Sequence, residues 1–510
     1  MRRVLLGLAF LYSTAYATVH YKLTPQTASH SILVSMTIDS PNPSESFQIP
    51  AWCPGYYQIA EYQDKIFDLR ASDSTSASLQ IDKPDPRTWK VHANPNHKLT
   101  LSYKVVGDDS GLGFFAVHVG DDNAFINGAA AFLYVDGRKR EAVDLRVVNP
   151  NGWEIATAMD STSENSFKAD GYDEFIDHPL QLGTFQRKKF RIDGIPFEVI
   201  FVSPRSTPNC DVDGETERIR TVSIPALKMF KGAAFKRYVY ILHLEVGNFS
   251  GGLEHRASNV QAVANGPVLH LDDLAAHEYF HAWNVKQIRP AVLGPFDYSR
   301  PQRTANLWFA EGVTDYYSKL HTFQSGLQSE KWLIAQLADQ MQQLQVSRTR
   351  KTTNLEQASK GCWEADGFSV GDLSYYTKGL LAGFILDSAI IDATNGQKNL
   401  DDLMRLLFLQ HELPNAGYEE DDLRVAINDV AGTDFSDLYR KMIRSTDELP
   451  YELLSKIGLR AVHTTKGISE PNDGSTPDVT SGMTLQLDPA ATRHAKHLYQ
   501  IWLHRKYSVE

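Results

Sequence analysis

The sequence is poor in cysteine. Three thiols, Cys53, Cys210 and Cys362, are spread over 510 residues, so the chain can form at most one disulfide and leaves one thiol unpaired. This number excludes a small disulfide-stabilised scaffold, and the spacing fits neither a zinc ribbon nor a redox-active pair. A buried free thiol is the expected state of each cysteine.

Long basic runs, internal repeats and low-complexity segments are also missing. The chain carries 51 basic and 62 acidic side chains, a formal net charge of −11. An acidic chain without a basic cluster is a poor candidate for binding nucleic acid. Its 42% hydrophobic and 22% charged residues are typical of folded globular proteins, and its length favours two to four domains.

Apolar runs are short as well. One of them, at the start of the chain, lies between two arginines and a triplet of mostly small residues. Two arginines precede an apolar run at residues 4–12, and the triplet Ala15-Tyr16-Ala17 follows. This order is typical of a secretory signal peptide, and the run is far shorter than the ~20 residues of a membrane span. The alternatives are an uncleaved anchor and a buried first strand. We expect cleavage after Ala17 and export to the periplasm or the extracellular space, since few cysteines suit a bacterial periplasm.

The remaining sequence divides into a β-rich part and a helix-rich part. Between residues 18 and 210, short alternating runs such as 30–38 and 98–106 are separated by Gly, Pro, Asn and Asp clusters, which predicts an antiparallel β-sandwich domain. Between residues 211 and 460, two strand-like runs precede apolar residues at helical spacing. The sequence therefore predicts an α+β protein, a β domain followed by a mostly helical domain. Strands are predicted at 238–246 and 251–254, and helices at 274–286, 307–323, 331–345 and 373–391.

The strongest local motif is H-E-x-x-H at residues 277–281. Residues four apart lie on one face of a helix, so His277 and His281 can both reach one ion at about 2 Å and fill two of the four positions around zinc. Glu278, next to the first ligand, is placed to act on the water at the metal rather than to bind the metal. The pattern also arises by chance, so its context has to confirm it.

A catalytic zinc site needs a third protein ligand. Glu311 lies in the next helical stretch and is the natural candidate, and Asp315 lies four residues later on the same face. A carboxylate at Asp315 could accept the outer N–H of a ligating histidine and fix its tautomer. The alternative is that both are solvated carboxylates of a helix surface. At this distance after the H-E-x-x-H motif we favour Glu311 as the third ligand, and the role of Asp315 stays open.

Two further segments offer candidates that the residues alone do not decide. Tyr376, at the start of a later helix, could donate to the oxyanion of a tetrahedral intermediate, although a core or rim aromatic is the more common role. Gly251 and Gly252 would let a peptide approach a strand edge, and Glu254 could meet its amine. A glycine-rich hairpin with a surface acid is the more common alternative.

Together these segments resemble the glycyl aminopeptidase family of bacterial zinc peptidases, relatives of the thermolysin-like group. The extended string H-E-x-x-H-x-W-N-V-K is far more specific than the core motif, and the resemblance covers roughly residues 18–460. The matching segments are residues 50–56, 251–255, 277–290, 307–317 and 374–379.

The resemblance implies a thermolysin-like catalytic domain at 211–460 with one zinc ion. It also implies removal of a small first residue, glycine or alanine, from peptides with a free N-terminus. For Tyr376 and Glu254 it favours the functional roles over the more common structural ones. The residues that it implies are the zinc ligands His277, His281 and Glu311, the base Glu278, the oxyanion donor Tyr376 and the amine anchor Glu254.

The sequence departs from the family pattern after residue 460. Family members usually end in a PDZ domain, whereas fifty residues, 461–510, follow here, and we expect a tail or a PDZ remnant. Two other functions stay open: a zinc endopeptidase that ignores the amine, and a secreted binding or scaffold protein with a relic zinc site. The complete set of ligands and base argues against the relic. The sequence does not indicate an oligomeric state.

Overall fold

The computed structural model describes residues 18–109, 114–204, 208–264, 271–465 and 481–505, and the expected signal peptide at 1–17 lies outside these ranges. The described chain is an α+β protein in which a sheet-rich N-terminal half precedes a helical half. This confirms the predicted fold class. None of the described helices is long and apolar enough to cross a membrane.

The strands are β1 Thr18–Gln26, β2 Ser31–Ile38, β3 Ser44–Gln48, β4 Ile66–Asp73, β5 Ile81–Asp85, β6 Thr88–His92, β7 Leu99–Val106, β8 Val117–Val119, β9 Asn123–Ile126, β10 Tyr134–Val135, β11 Ala142–Val147, β12 Glu154–Ala156, β13 Asp160–Ser163, β14 Ser166–Ala169, β15 Leu180–Gly183, β16 Gln186–Ile192, β17 Ile195–Val202, β18 Tyr238–Leu244, β19 Gly251–Glu254, β20 Ser258–Val263, β21 Ser369–Val370, β22 Leu373–Ser374, β23 Leu459–Thr465 and β24 Ser481–Leu487.

The α-helices are α1 Gly128–Ala131, α2 Tyr172–Ile176, α3 Val212–Phe230, α4 Asp272–Phe280, α5 Thr314–Gln324, α6 Glu330–Val346, α7 Leu355–Gly361, α8 Tyr375–Ala393, α9 Leu400–His411, α10 Asp422–Ala431, α11 Ser436–Tyr439 and α12 Arg493–Leu503. Two π-helices lie at Trp308–Val313 and Arg440–Arg444. Short 3₁₀ helices lie at Thr27–Ser29, Tyr62–Lys65, Ala291–Leu293, Thr349–Lys351, Cys362–Glu364 and Tyr451–Ile457.

The N-terminal half is built around a seven-stranded sheet of order β13-β14-β11-β1-β2-β7-β4, with two four-stranded sheets, β10-β3-β6-β5 and β12-β15-β9-β8. Pairing in the large sheet is antiparallel except that β1 runs parallel to β11. On β7, Leu99, Leu101, Tyr103 and Val105 alternate with outward residues and are buried in one core. The alternation in the sequence therefore positions this strand correctly.

A five-stranded mixed sheet of order β16-β17-β18-β20-β19 joins the two halves. On β18, Tyr238 and Tyr240 face the helical core, whereas Val239 and Ile241 belong to the core of the N-terminal half. Because both faces are covered, β18 is an unbroken apolar run. The strand pattern of the sequence predicts β16 and β17 as part of the N-terminal domain, but they pair within this sheet, since β17 runs parallel to β18.

Two glycines bring the helices of the second half into backbone contact. A Cβ added at Gly312, in the first π-helix, would lie 2.6 Å from Cα of Gly379 on α8. This crossing therefore requires that both positions lack a side chain. Glu311 directly precedes Gly312, and Tyr376 lies one turn before Gly379, so the crossing sets the separation of two predicted site residues.

The described parts of residues 461–510 pack onto the helical half. β23 and β24 form a hairpin, and α12 buries Trp502, whose indole Nε1 donates to the hydroxyl of Tyr316 at 2.8 Å. Arg505 forms ion pairs with Asp387 and Asp401, and all three side chains are buried. These contacts fasten the C-terminal segment to α5, α8 and α9.

The cysteines are free thiols, with Cys53 and Cys362 buried and Cys210 half-buried. Burial raises the pKa of Cys53 and Cys362 to about 12. A thiol with so high a pKa is not an activated nucleophile at neutral pH, so the chemistry of the protein has to lie elsewhere.

Candidate metal centre and substrate cleft

The structure brings the three predicted metal ligands together. His277 and His281 lie one turn apart at the end of α4, with their Nε2 atoms 3.1 Å apart. Oε2 of Glu311, on the π-helix, lies 3.2 Å from Nε2 of His281 and 3.7 Å from Nε2 of His277. π-Helical turns are rare and occur frequently at functional sites. The three donor atoms form one cluster.

This cluster has the spacing and the charge of a metal site. Two ligands about 2 Å from one tetrahedral ion lie about 3.3 Å apart, close to the observed contacts. Burial alone would lower the pKa of His277, but Asp315 and Glu311 raise it well above its ordinary value. The carboxylates therefore require a positive charge between them, which a divalent cation supplies when it displaces the protons.

Each histidine also has a partner on its other ring nitrogen. Nδ1 of His281 lies 2.9 Å from the backbone oxygen of Asn284, and Nδ1 of His277 lies 3.5 Å from Oδ1 of Asp315. These contacts favour a proton on Nδ1 and leave Nε2 for a metal. Lys319 holds Asp315 in turn, with its amine 3.0 Å from Oδ1.

The chain reverses directly after the second histidine. α4 ends at Phe280 rather than near residue 286, because the turn residues are buried too and continue the apolar pattern past the helix end. Within the turn, Val285 adopts a φ of 94°, which β-branched residues rarely do and which is typical of functional sites. The turn aims the carbonyl of Asn284 at His281, and the Asn284 Nδ2 lies 2.9 Å from a backbone oxygen of the π-helix.

Glu278 lies under the edge strand β19. A Cβ added at Gly252 would lie 2.4 Å from Oε1 of Glu278, so a side chain at this strand position would displace the Glu278 carboxylate. In the absence of a metal ion, burial raises the pKa of Glu278 to about 7, against the opposing charges of His277 and His281. A carboxyl with a pKa near neutrality can both accept and return a proton.

Tyr376 borders the same space from α8. Its ring centroid is 6.1 Å from that of His277, with the planes 25° apart, and Oγ of Ser374 caps the helix by accepting the backbone N–H of Tyr376 at 3.1 Å. Burial raises the pKa of Tyr376 well above its ordinary value. Its hydroxyl therefore stays protonated and available as a donor.

Glu254 ends β19 with its carboxylate buried. One of its oxygens, a carboxylate oxygen of Glu278 and a ring nitrogen of His281 lie within 4.8 Å of one another. Nζ of Lys286 lies 4.0 Å from Oε1 of Glu254 and 3.0 Å from Oδ1 of Asp177. Lys286 is therefore closer to Asp177, and the charge of Glu254 is only partly neutralised.

A loop of the N-terminal half narrows the end of the site at Glu254. A Cβ added at Gly55 would lie 2.7 Å from Oε2 of Glu254, and Gly55 has a φ of 88° that favours glycine. Farther along this loop, the hydroxyl of Tyr57 lies 3.5 Å from Oε1 of Glu311. The space left beside Glu254, under Trp52 and Tyr57, has a volume of about 20 Å³.

A wide cleft opens at the other end of β19, with a volume of about 420 Å³. Its walls combine the predicted site residues with aromatic rings, so the metal cluster lies between a narrow end at Glu254 and a wide one. The lining residues are Phe114, Phe115, Phe249, Ser250, Gly251, Gly252, Asp273, Leu274, His277, Glu278, Asp315, Phe368 and Tyr376.

Two family sequence profiles match the chain and together cover more than half of it. The Peptidase M61 N-terminal domain matches residues 20–184, and the M61 glycyl aminopeptidase matches residues 270–382. The chain belongs to the M61 glycyl aminopeptidase family. This confirms the resemblance that the motifs indicate, and it makes the protein a peptidase.

The fold of this M61 peptidase has a counterpart among solved structures. The crystal structure of an aminopeptidase N family protein from Idiomarina loihiensis superposes with a TM-score of 0.81 and 24% sequence identity, over 90% of this chain and 81% of that chain. The two proteins share a fold. No curated protein sequence matches this M61 peptidase significantly.

Three residues of the M61 peptidase site were not identified from the sequence. Asn284 and Lys286 lie within the extended string H-E-x-x-H-x-W-N-V-K, so that string already contained the signal for them. Tyr57 directly follows the matching segment 50–56 of the N-terminal half. Its approach to Glu311 depends on how the two halves pack, which no local pattern shows.

Proposed function

We propose that this M61 peptidase is a zinc aminopeptidase that removes a small first residue, glycine or alanine, from peptides with a free N-terminus. The proposal rests on the position of Glu254, whose carboxylate lies within 4.8 Å of Glu278 and His281. The amine nitrogen and the carbonyl carbon of one residue are about 2.5 Å apart. An ammonium paired with Glu254 therefore leaves the first carbonyl of the peptide beside Glu278 and the metal ligands.

The donor set supports zinc. Two histidines and one glutamate, here His277, His281 and Glu311, are a protein ligand set of catalytic zinc sites and leave one position open. Held by these residues, zinc would supply a Lewis acid for the scissile carbonyl and would lower the pKa of the attacking water. Asp315 and the backbone oxygen of Asn284 keep the two imidazoles in the tautomer that such a site needs.

The side chains of the protein supply the remaining chemistry. Glu278 takes a proton from the attacking water and delivers it to the leaving amine. The hydroxyl of Tyr376 donates to the oxyanion that develops on the scissile carbonyl. The substrate backbone lies along the edge of β19, where the missing side chain of Gly252 lets it approach Glu278.

The narrow end of the site supports a small first residue and a free amine. A volume of about 20 Å³ beside Glu254 has room for about one water-sized group, which suits the hydrogen of glycine or the methyl of alanine. An endopeptidase would need a path for the residues before the scissile one. The loop that carries Gly55 and Tyr57 narrows that path.

The test compares two substrates on the zinc-loaded protein, glycyl-alaninamide and its N-acetylated form. Acetylation removes the ammonium that pairs with Glu254, so we expect the free amine to be hydrolysed at least about tenfold faster. Equal rates would exclude the aminopeptidase and support the endopeptidase.

Glu254→Gln keeps the shape of the side chain and removes its charge. This variant should lower kcat/KM for the free amine and leave the blocked substrate unchanged. The matched control is Glu217→Gln, which changes an exposed glutamate on α3 and should affect neither substrate.

A further inference from the structure

The site has a direction along β19. At the Glu254 end the space is about 20 Å³, and at the Gly251 end it is about 420 Å³. A peptide whose amine pairs with Glu254 and whose first carbonyl lies at the metal ligands continues toward Gly251. Its second residue therefore enters the wide part of the cleft.

Aromatic rings line this wide part. The ring centroids of Phe114 and Phe115 are 4.5 Å apart, and those of Phe114 and Phe249 are 5.9 Å apart. Phe368 packs beside Tyr376, with a centroid separation of 6.3 Å. The four phenylalanines come from three separate segments of the chain and converge on one space.

Two of these rings remain exposed. Phe249 is 53% and Phe368 43% accessible to solvent, and the ring of Phe249 folds back over Gly251, where a Cβ would lie 2.7 Å from it. A protein surface rarely exposes clustered large rings unless they contact a ligand. Because Gly251 has no side chain, the apolar ring of Phe249 can lie at the mouth of the cleft.

On the basis of the proposed function, we propose that the peptidase selects a bulky apolar second residue, an aromatic one above all, whose side chain packs among Phe114, Phe115, Phe249 and Phe368. Two neighbouring positions then define the substrate class. The first residue is small because the Glu254 end is narrow, and the second is large because the opposite end is wide and aromatic.

The charges around the cleft disfavour an acidic second residue. Asp273 and Asp315 line its floor, and Lys319 pairs with both, at 2.5 and 3.0 Å. An acidic side chain would meet these carboxylates and that of Glu278. Lys319 already neutralises part of this negative charge, which weakens the attraction on a basic side chain, and an apolar one needs no partner.

The test measures kcat/KM of the zinc-loaded full chain for Gly-Phe-NH2, Gly-Ala-NH2, Gly-Glu-NH2 and Gly-Lys-NH2. We expect Gly-Phe-NH2 to exceed Gly-Ala-NH2 by about tenfold or more, the scale of a filled apolar pocket, and Gly-Glu-NH2 to be the poorest substrate. Equal values for phenylalanine and alanine, or a preference for lysine, would overturn the proposal.

Variants locate the effect. Phe249→Ala and Phe368→Ala should each lower the ratio of kcat/KM for Gly-Phe-NH2 to that for Gly-Ala-NH2 by about threefold or more, and circular dichroism shows that the variants fold. The matched control is Phe67→Ala, which truncates a 51% exposed ring on β4 and should change neither value. Loss on both substrates alike would contradict a role in selecting the second residue.

A binding measurement separates this proposal from the proposed function. Binding to the zinc-loaded Glu278→Gln protein can be measured without hydrolysis of the peptide. Calorimetry should show that Gly-Phe-NH2 binds this variant about tenfold more tightly than Gly-Ala-NH2. Preferential binding without hydrolysis of any glycyl peptide by the unmodified protein would retain the aromatic subsite and reject the aminopeptidase. Hydrolysis without any preference would reject the subsite and retain the aminopeptidase.

Discussion

The hydroxyl of Tyr57 donates to Oε1 of Glu311 at 3.5 Å, although 254 positions of the sequence separate the two residues. Tyr57 comes from the N-terminal half, and Glu311 is a predicted metal ligand on the π-helix. The contact makes the β-rich half a part of the candidate metal centre, since it orients the carboxylate whose other oxygen faces the two histidines.

Tyr57→Phe should weaken metal binding by up to about tenfold, because outer partners of metal ligands contribute on that scale. Chelator competition, with metal content read at each step, measures the change. The adjacent Tyr56 supplies a matched control, since its hydroxyl donates to Gln58 at 2.7 Å and not to the metal cluster. Tyr56→Phe should therefore bind metal as the unmodified protein does. Equal metal affinities for the unmodified protein and both variants would show that the Tyr57 contact does not contribute to metal binding.

Glu278→Gln should retain the metal and lower kcat by about 10²–10⁴-fold, the range of general acid–base catalysis. Glu311→Gln should instead lose metal, because it removes the anionic ligand of the cluster. Elemental analysis and the hydrolysis rate of a glycyl amide, measured on the same preparations, distinguish the two effects. A metal-loaded Glu278→Gln protein with near-normal turnover would remove Glu278 from the mechanism.

Gly379→Ala should destabilise the protein by about 1–3 kcal/mol, the range for overpacking a core, and should lower activity. The new Cβ would lie 2.5 Å from the backbone oxygen of Trp308, and this contact would push Tyr376 away from Glu311. Gly383→Ala, one turn later on α8, is the control, because its closest contact is a side-chain carbon of Val313 at 3.1 Å. Urea unfolding of both variants measures the difference, and equal destabilisation would show that the backbone crossing is not the sensitive element.

Acidification should destabilise the fold through His321. Burial, with a further contribution from Arg505, lowers the pKa of His321 to about 3, whereas an unfolded histidine titrates near 6.5. Below pH 6.5 the unfolded chain therefore binds a proton that the folded chain does not, and stability falls as the pH falls toward 3. Between pH 7 and pH 5 this single group should remove about 2 kcal/mol.

The difference in unfolding free energy between the unmodified protein and His321→Gln isolates that contribution. Urea unfolding at pH 7, 6 and 5 should show this difference shrinking by about 2 kcal/mol in favour of the variant as the pH falls. If the two proteins lose stability in parallel, His321 is not the responsible group.

The sequence predicted the metal cluster because short-range geometry determines most of it. A spacing of four places His277 and His281 on one helix face whatever the rest of the chain does. The same periodicity located the helix that follows Glu311, but it could not show that Glu311 itself lies on a π-turn, since one extra residue in a turn leaves the apolar pattern intact.

What the sequence could not show depends on long-range packing. The proximity of Lys286 to Glu254, and the crossing of Gly312 with Gly379, arise when separate segments meet in three dimensions. The end of α4 was missed for a related reason, because the turn after it is as buried as the helix. β16 and β17 were assigned to the N-terminal domain, because strand spacing shows that a strand exists and not which sheet it joins.

The five-stranded sheet limits how this enzyme can be divided. Val239, Ile241 and Val260 on its inner face complete the core of the β-rich half, so a fragment that begins near residue 211 would lose two strands and present a bare apolar surface to water. Such a surface leads to aggregation. The helical half and the β-rich half therefore fold as one unit. Transferring the helical half to another protein would require transferring the β-rich half as well.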